Sequence, residues 1–310
     1  MKRFLLKSIV FFTLLLIIAV SLNFRFKHTI HPNDYYRFQY EEVIHRTVNA
    51  DNVIIGTSHA THGINPEILN GAGTSFFNFA LNGANPKFYL LWYKNIFKPH
   101  YKRPQYMIIA VEWFFFDSKW LSRLYEQDSE YFPQSVFMNN CFGEKEFNKS
   151  ILINNRYPLL KYLKSPRKLF HYDARPFLIS KYKNGYIPYQ KTKRKIKEFY
   201  PINVNVDESQ QKNFEQLIKI LRNDGIKIIF INPPAYNTNF ERYKNVPIYA
   251  YYERLAAKYQ IPFINYNLER RSFINSNKLY YSDGGHLNYL GSCEFSKLLM
   301  EDLKKIMIIE

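Results

Sequence analysis

Cysteine is nearly missing: the 310 residues hold only Cys141 and Cys293. That excludes a disulfide-dense scaffold and a Cys-based zinc site, which needs more thiolates or nearby His. Acids are scarce as well, 26 Asp+Glu against 43 Lys+Arg, for a formal net charge of +17. Such a surplus implies an anionic neighbour, whether nucleic acid, acidic lipid headgroups or an acidic polymer. No internal repeat, low-complexity tract, zinc finger, RNA-recognition motif or basic zipper is visible. Charged residues make up only 22%, beside 27 Phe and 26 Tyr, so wholesale disorder is excluded too. A chain of this size buries roughly three-quarters of its unfolded surface and needs no covalent or metal staple.

One hydrophobic run is long. Ser8 to Phe24 carries no charge, and Phe4 to Leu6 extend it past Lys7, which can snorkel. The extended run makes about 31 Å of helix at 1.5 Å per residue, matching a hydrocarbon core of about 30 Å. Lys2, Arg3 and Lys7 precede it, and Arg25 and Lys27 follow. The expectation is a membrane helix with the body on the extracytoplasmic side. A cleaved signal peptide is the alternative, because Ala19-Val20-Ser21 offers small residues at the required spacing. The run continues through Leu22 and Phe24 past that point, which favours a retained anchor. Either reading exports the body, so no nucleic-acid partner is expected.

After a polar connector (His28 to Ala50), Asn52 to Gly56 reads as a short buried strand ending at a glycine turn. Thr74 to Ala80, Gln105 to Val111, Ile226 to Ile231 and Pro262 to Asn265 read as further strands. Helical spacing marks Pro86 to Phe97, Ser209 to Asn223, Tyr249 to Tyr259 and Cys293 to Ile306. Strands alternating with helices imply one parallel sheet with helices on both faces, a flavodoxin-like α/β fold. Between Asp117 and Pro201 the alternation stops. That stretch is rich in Tyr, Phe, Lys and Arg, including Lys193-Arg194-Lys195. The expected organisation is an anchor or signal at 1–27 and one α/β domain at 28–310, with a basic, aromatic insertion at about 118–200.

Three short motifs can carry chemistry. Gly56-Thr57-Ser58-His59 follows the first strand, where open parallel sheets bind ligands. Ser58 can be a helix cap or a nucleophile that needs a base. Asn82-Gly83 leaves the second strand at the same rim, and a Gly there lets a backbone N–H point into a pocket as an oxyanion donor must. Asp283-Gly284-Gly285-His286 precedes the last helix, and a carboxylate three residues from a His can hold the imidazole tautomer while the other nitrogen acts as base. His59 and His62, with Asp283 and His286, are the weaker candidates for metal ligation. No helix-borne His pair or carboxylate cluster supports that reading, and His59 is expected to shape the pocket instead. Phe88, Tyr89 and Trp92 at helical spacing read as core, and Asn232-Pro233-Pro234 as the end of the fourth strand.

With Ser58, Gly83, Asp283 and His286 in these blocks, the sequence resembles the SGNH/GDSL hydrolase superfamily over roughly residues 50–117 and 205–306. The anchor, the Pro-Pro after the fourth strand and Asp-x-x-His-Leu look more like its membrane-tethered branch, with DltD-type proteins and accessory acetyltransferases of envelope polysaccharides. The resemblance implies acyl-ester chemistry outside the membrane: Ser58 as nucleophile, His286 as base, Asp283 orienting it, and Ser58 and Gly83 as oxyanion donors. It implies no metal or organic cofactor, an envelope polysaccharide or polymer as substrate, and a multi-pass membrane acyltransferase as candidate partner. One departure stands out. The third block of the superfamily has Gly-x-Asn, and here the stretch is Ala110-Val111-Glu112-Trp113. An ionised Glu only accepts hydrogen bonds, so either Asn82 or a backbone N–H substitutes, or oxyanion stabilisation weakens. The alternative function is a degenerate accessory protein that binds an anionic polymer or a membrane partner.

Overall fold

The five strands are apolar along most of their length because both faces of the sheet are covered. They are β1 (Asn52–Ile55), β2 (Phe76–Asn78), β3 (Tyr106–Ala110), β4 (Lys227–Asn232) and β5 (Phe263–Asn265). All pair in parallel, in the order β2-β1-β3-β4-β5. The register sets Ile54 beside Ile108 and Ile108 beside Ile229, which builds a layer of branched side chains across the centre. The computed structural model describes residues 1–28, 48–70, 73–116, 184–189, 196–199, 206–239, 241, 246–268 and 274–308. The architecture is the flavodoxin-like α/β fold expected from the alternation.

Parallel strands need crossovers, and helices supply them. The first is α2 (Ser58–Gly63), followed by α3 (Pro66–Leu69). Next comes α4 (Pro86–Trp92), where Pro86 opens the first turn and the Asn85 side chain accepts the Phe88 N–H. A π-helical turn, Tyr93–Phe97, continues it. Then follow α5 (Glu208–Asn223), α6 (Pro247–Tyr259) and α7 (Tyr289–Ile308). Phe295, Leu299 and Leu303 of α7, at helical spacing, pack with Ile54, Ile108 and Ile229 in one buried cluster. Phe214, Leu217, Ile218 and Leu221 bury the inner stripe of α5, which packs along α4. Phe88, Tyr89 and Trp92 are core, as their spacing suggests.

By its contacts the chain divides into two units, residues 1–40 with 124–181, and residues 41–123 with 182–310. The described part of the first is α1 (Lys2–His28). Within it, Lys2–Arg25 is long and apolar enough to cross a membrane, and large side chains such as Phe4, Leu16 and Phe24 are exposed. Of the insertion expected at about 118–200, residues 184–189 and 196–199 are described and pack on the α/β unit. The rest, with Lys193-Arg194-Lys195, lies outside the described residues.

The strand order reverses direction at β1, with β2 on one side and β3 on the other. In open α/β sheets this switch point opens a crevice at the carboxyl ends of the strands. Ser58 follows β1 and Glu112 follows β3, so both lie beside it.

Candidate active site

The turn between β1 and α2 is shaped by close approach. Gly56 has φ +156°, and a Cβ there would fall 2.6 Å from the Ala110 Cβ and 3.2 Å from the Ala110 carbonyl oxygen. Only glycine lets this turn lie on β3. Thr57 caps α2 with extended backbone and no side-chain cap bond, and Ser58 is the first helical residue. The capping alternative for Ser58 is therefore not the one adopted. Its Oγ lies 2.9 Å from Nε2 of His286. The other nitrogen, Nδ1, is 2.9 Å and 3.1 Å from the two oxygens of Asp283. Because the carboxylate can only accept, Nδ1 carries the proton, and Nε2 accepts from the Ser58 hydroxyl.

Asp283 also accepts the backbone N–H groups of Gly285 and His286, each at 2.9 Å. Burial pushes its pKa up, but the His286 imidazole and these two N–H groups outweigh that and hold it well below the ordinary carboxylate range. The Asp283 loop is itself pinned: Tyr236 donates its N–H to the Gly284 carbonyl at 2.9 Å, and Phe199 donates to the Tyr236 carbonyl at 2.9 Å. The two glycines are dictated by contact. A Cβ on Gly284 would sit 2.2 Å from the Lys197 carbonyl oxygen, and one on Gly285 2.7 Å from His59 Nε2.

Gly83 occupies the left-handed region, φ +69°, in the turn that leads from β2 to α4. Among the described residues, no group accepts from the backbone N–H of Ser58 or of Gly83. The side-chain amide nitrogen of Asn82 meets His62 Nε2 at 3.2 Å, and His62 Nδ1 donates to the Ile187 carbonyl at 2.7 Å. The Asn82 amide thus turns toward His62, while its Oδ1 is buried without a hydrogen bond. Burial, and then the nearby His286, push the His62 imidazole down to about 3 and His59 well below the usual His range. Both are neutral near pH 7. The His59 ring packs edge-on against His286, centroids 4.9 Å apart, and against Phe114 and Phe199. His59 is thus packed beside Ser58, between His286 and the rings of Phe114 and Phe199.

Some positioning residues escaped the motif reading. Tyr89 was legible only as core, yet its hydroxyl donates to the Gly56 carbonyl at 2.5 Å and accepts the N–H groups of Gly56 at 3.2 Å and Leu81 at 3.0 Å. It ties the Ser58 turn to the Gly83 turn. Tyr189 stacks on the His286 ring at 5.3 Å, and the aromatic richness of the insertion was its one signal. At the ends of β4 and β5 and just beyond, buried Asn232, Asn265, Asn267 and Asn275 join through amide hydrogen bonds of 2.8–3.1 Å. The Asn267 and Asn275 side chains also bond both backbone groups of Ala235, beside Tyr236.

Fold and site together define a parallel α/β protein with a serine, a histidine and an aspartate in hydrogen-bond sequence on the sheet's carboxyl rim. No protein-family model matches the chain, and no curated protein sequence matches it. Among solved structures it is similar to a candidate platelet activating factor from Streptococcus pneumonia, with 14% identity over 95% of this chain and 98% of that one and a TM-score of 0.44. It is also similar to a GDSL-like lipase from Bacteroides thetaiotaomicron, 14% identical over 88% and 98% of the two chains, TM-score 0.41. A candidate acylhydrolase from Bacteroides fragilis follows, 13% identical over 88% and 97%, TM-score 0.38.

Proposed function

We propose that this chain is a serine-dependent acyl-ester enzyme, an O-acyltransferase or esterase of the SGNH type, working outside the cytoplasm on an envelope glycan or polymer. The observation that carries the reading is the unbroken relay from Ser58 Oγ to His286 Nε2 at 2.9 Å and from His286 Nδ1 to Asp283 at 2.9 Å. Ser58 Oγ attacks the acyl carbonyl as His286 Nε2 takes the hydroxyl proton, and the carbonyl oxygen becomes an oxyanion. The N–H groups of Ser58 and Gly83 receive that charge. His286 then returns the proton to the leaving oxygen, and Ser58 is left acylated. In the second half a sugar hydroxyl or water loses its proton to His286, attacks the ester and frees Ser58. The Asp283 carboxylate stabilises the imidazolium in both halves, and neutral His59 and His62 add no competing charge. The apolar helix at Lys2–Arg25, taken as a retained anchor, holds the domain beside membrane-borne acyl donors and favours transfer over hydrolysis.

The test is covalent labelling of the full chain in detergent with a fluorophosphonate. Wild type should label at Ser58, Ser58→Ala should not label, and His286→Ala should label more slowly by about 10³-fold or more. Equal labelling of wild type and Ser58→Ala would end the nucleophile assignment.

A further inference from the structure

Glu112 is the buried acid that the relay does not use. Its side chain is 1% exposed. Oε2 accepts the hydroxyl of Thr57, whereas Oε1 makes no hydrogen bond and lies 3.6 Å from His59 Nδ1. The titratable groups around it come from three helices: His59 on α2, Tyr89 on α4, and Tyr249 and Tyr252 on α6. Tyr252 donates its hydroxyl to the Glu112 backbone carbonyl at 2.9 Å. No Lys or Arg among the described residues forms an ion pair with it. His59 is neutral near pH 7, and burial raises all three tyrosines. A carboxylate with no cation and one donor is poorly solvated, so the proton stays on. Burial pushes the Glu112 carboxyl up to about 8, against the opposing effect of the Thr57 hydroxyl.

Thr57 and His59 are the residues immediately before and after Ser58, and each faces one of the two carboxyl oxygens. We propose that Glu112 is a positioning residue that works as a neutral carboxylic acid, bracing Thr57 and His59 so that Ser58 is held toward His286. The inference rests on Ser58 being the nucleophile. In the neutral form Oε2 still accepts from Thr57, and the acid proton on Oε1 faces His59 Nδ1. Loss of that proton puts a charge against His59, whose ring packs on His286. The brace then loosens, and with it the alignment of Ser58.

Two readouts on the full chain in detergent test this. The first is the pH dependence of fluorophosphonate labelling at Ser58. In wild type the rate should fall by about tenfold or more as pH rises through about 8. Glu112→Gln, which keeps the neutral shape, should lack this alkaline fall. Glu112→Ala should lose about tenfold or more at every pH, a loss that Glu112→Gln largely restores. The same alkaline fall in wild type and Glu112→Gln would overturn the proposal. The second readout is ¹⁵N NMR of the imidazoles in histidine-labelled chain, with His59 assigned through His59→Gln. Its ring resonances should move with a midpoint near 8 in wild type and not in Glu112→Gln, and an unmoved His59 would equally overturn the proposal. If wild type labels at no pH, the acyl-enzyme reading fails, and the His59 titration still decides whether Glu112 is the neutral acid that braces this turn.

Discussion

Tyr89→Phe removes one oxygen from the core and tests how the Ser58 and Gly83 turns, the two halves of the proposed oxyanion site, are joined. The hydroxyl makes four hydrogen bonds, to the carbonyl and N–H of Gly56, to the N–H of Leu81 and, at 3.3 Å, to the carbonyl of Phe79. Leu81 N–H keeps a partner in the Gly56 carbonyl at 3.0 Å, so that pair survives. The Gly56 N–H has no other acceptor among the described residues and becomes an orphan, which costs about 1–3 kcal/mol. Losing the bond to the Gly56 carbonyl adds about 1 kcal/mol. The sum, about 2–4 kcal/mol, should lower the melting temperature by roughly 5–10 °C. The effect on chemistry should be larger than on folding at temperatures below the melt. Gly56 lies two residues before Ser58 and Leu81 two before Gly83, so the N–H groups of Ser58 and Gly83 lose their common tie. A misplacement of such groups costs about tenfold or more in rate. The assays are thermal unfolding and fluorophosphonate labelling of full-length chain in detergent. A melting temperature within about 2 °C of wild type, together with an unchanged labelling rate, would refute the reasoning.

Asp283→Asn should slow labelling at neutral pH by about 10²–10⁴-fold while leaving measurable reaction. Because the folded Asp283 is held below its ordinary pKa of 3.8, its contribution to stability is present above that value and is lost as pH falls through the folded one. The melting-temperature gap between wild type and Asp283→Asn should therefore stay constant from about pH 8 to 5 and close only below about pH 4, and a gap that closes near neutrality would contradict this. Gly285→Ala places a Cβ 2.7 Å from the buried His59 Nε2, so either the His59 ring that packs on His286 or the loop carrying His286 must shift. Labelling should drop by about 10²-fold, the cost of a displacement of about 1 Å, and full-rate labelling would show that the loop yields without moving His286. Finally, the full-length protein should resist carbonate extraction from membranes, and recovery of a mature N-terminus near Leu22 would show cleavage.

The sheet was legible because buried parallel strands leave a plain trace. Asn52-Val53-Ile54-Ile55 and Tyr106 to Ala110 are apolar runs bounded by turn residues, and each became a strand within a residue or two of its expected ends. Phe76–Asn78 is shorter than the Thr74 to Ala80 run: past Asn78 the Phe79 and Leu81 N–H groups still reach the carbonyls of Ile54 and Gly56, but the Gly56 N–H turns to the Tyr89 hydroxyl and leaves the ladder. The last helix begins at Tyr289, before the expected Cys293. Its apolar stripe marks where α7 faces the sheet, and the first turn instead packs around Ser292, which pairs with Tyr186. Tyr186 comes from the stretch that broke the alternation, so no periodicity in α7 itself could reveal that contact.

The relay was legible for a different reason: Ser58, Asp283 and His286 stand in short motifs whose neighbours are small, and the sheet gathers strand ends on one rim. What spacing cannot supply is the environment of a side chain. Glu112 reads as a charged residue in an apolar stretch, and a charge in place of an amide argues for a weakened site. The fold inverts the premise. β3 carries Glu112 beneath the Ser58 turn, where no described Lys or Arg pairs with it, and the same burial that makes an ion costly makes the neutral acid the stable form. A neutral carboxylic acid pairs an O–H donor with a carbonyl acceptor, one donor fewer than a primary amide, so unlike the ion it can both donate and accept. Below about pH 8 Glu112, which faces Thr57 and His59, is in our proposal a neutral brace for the Ser58 turn that alkali can remove.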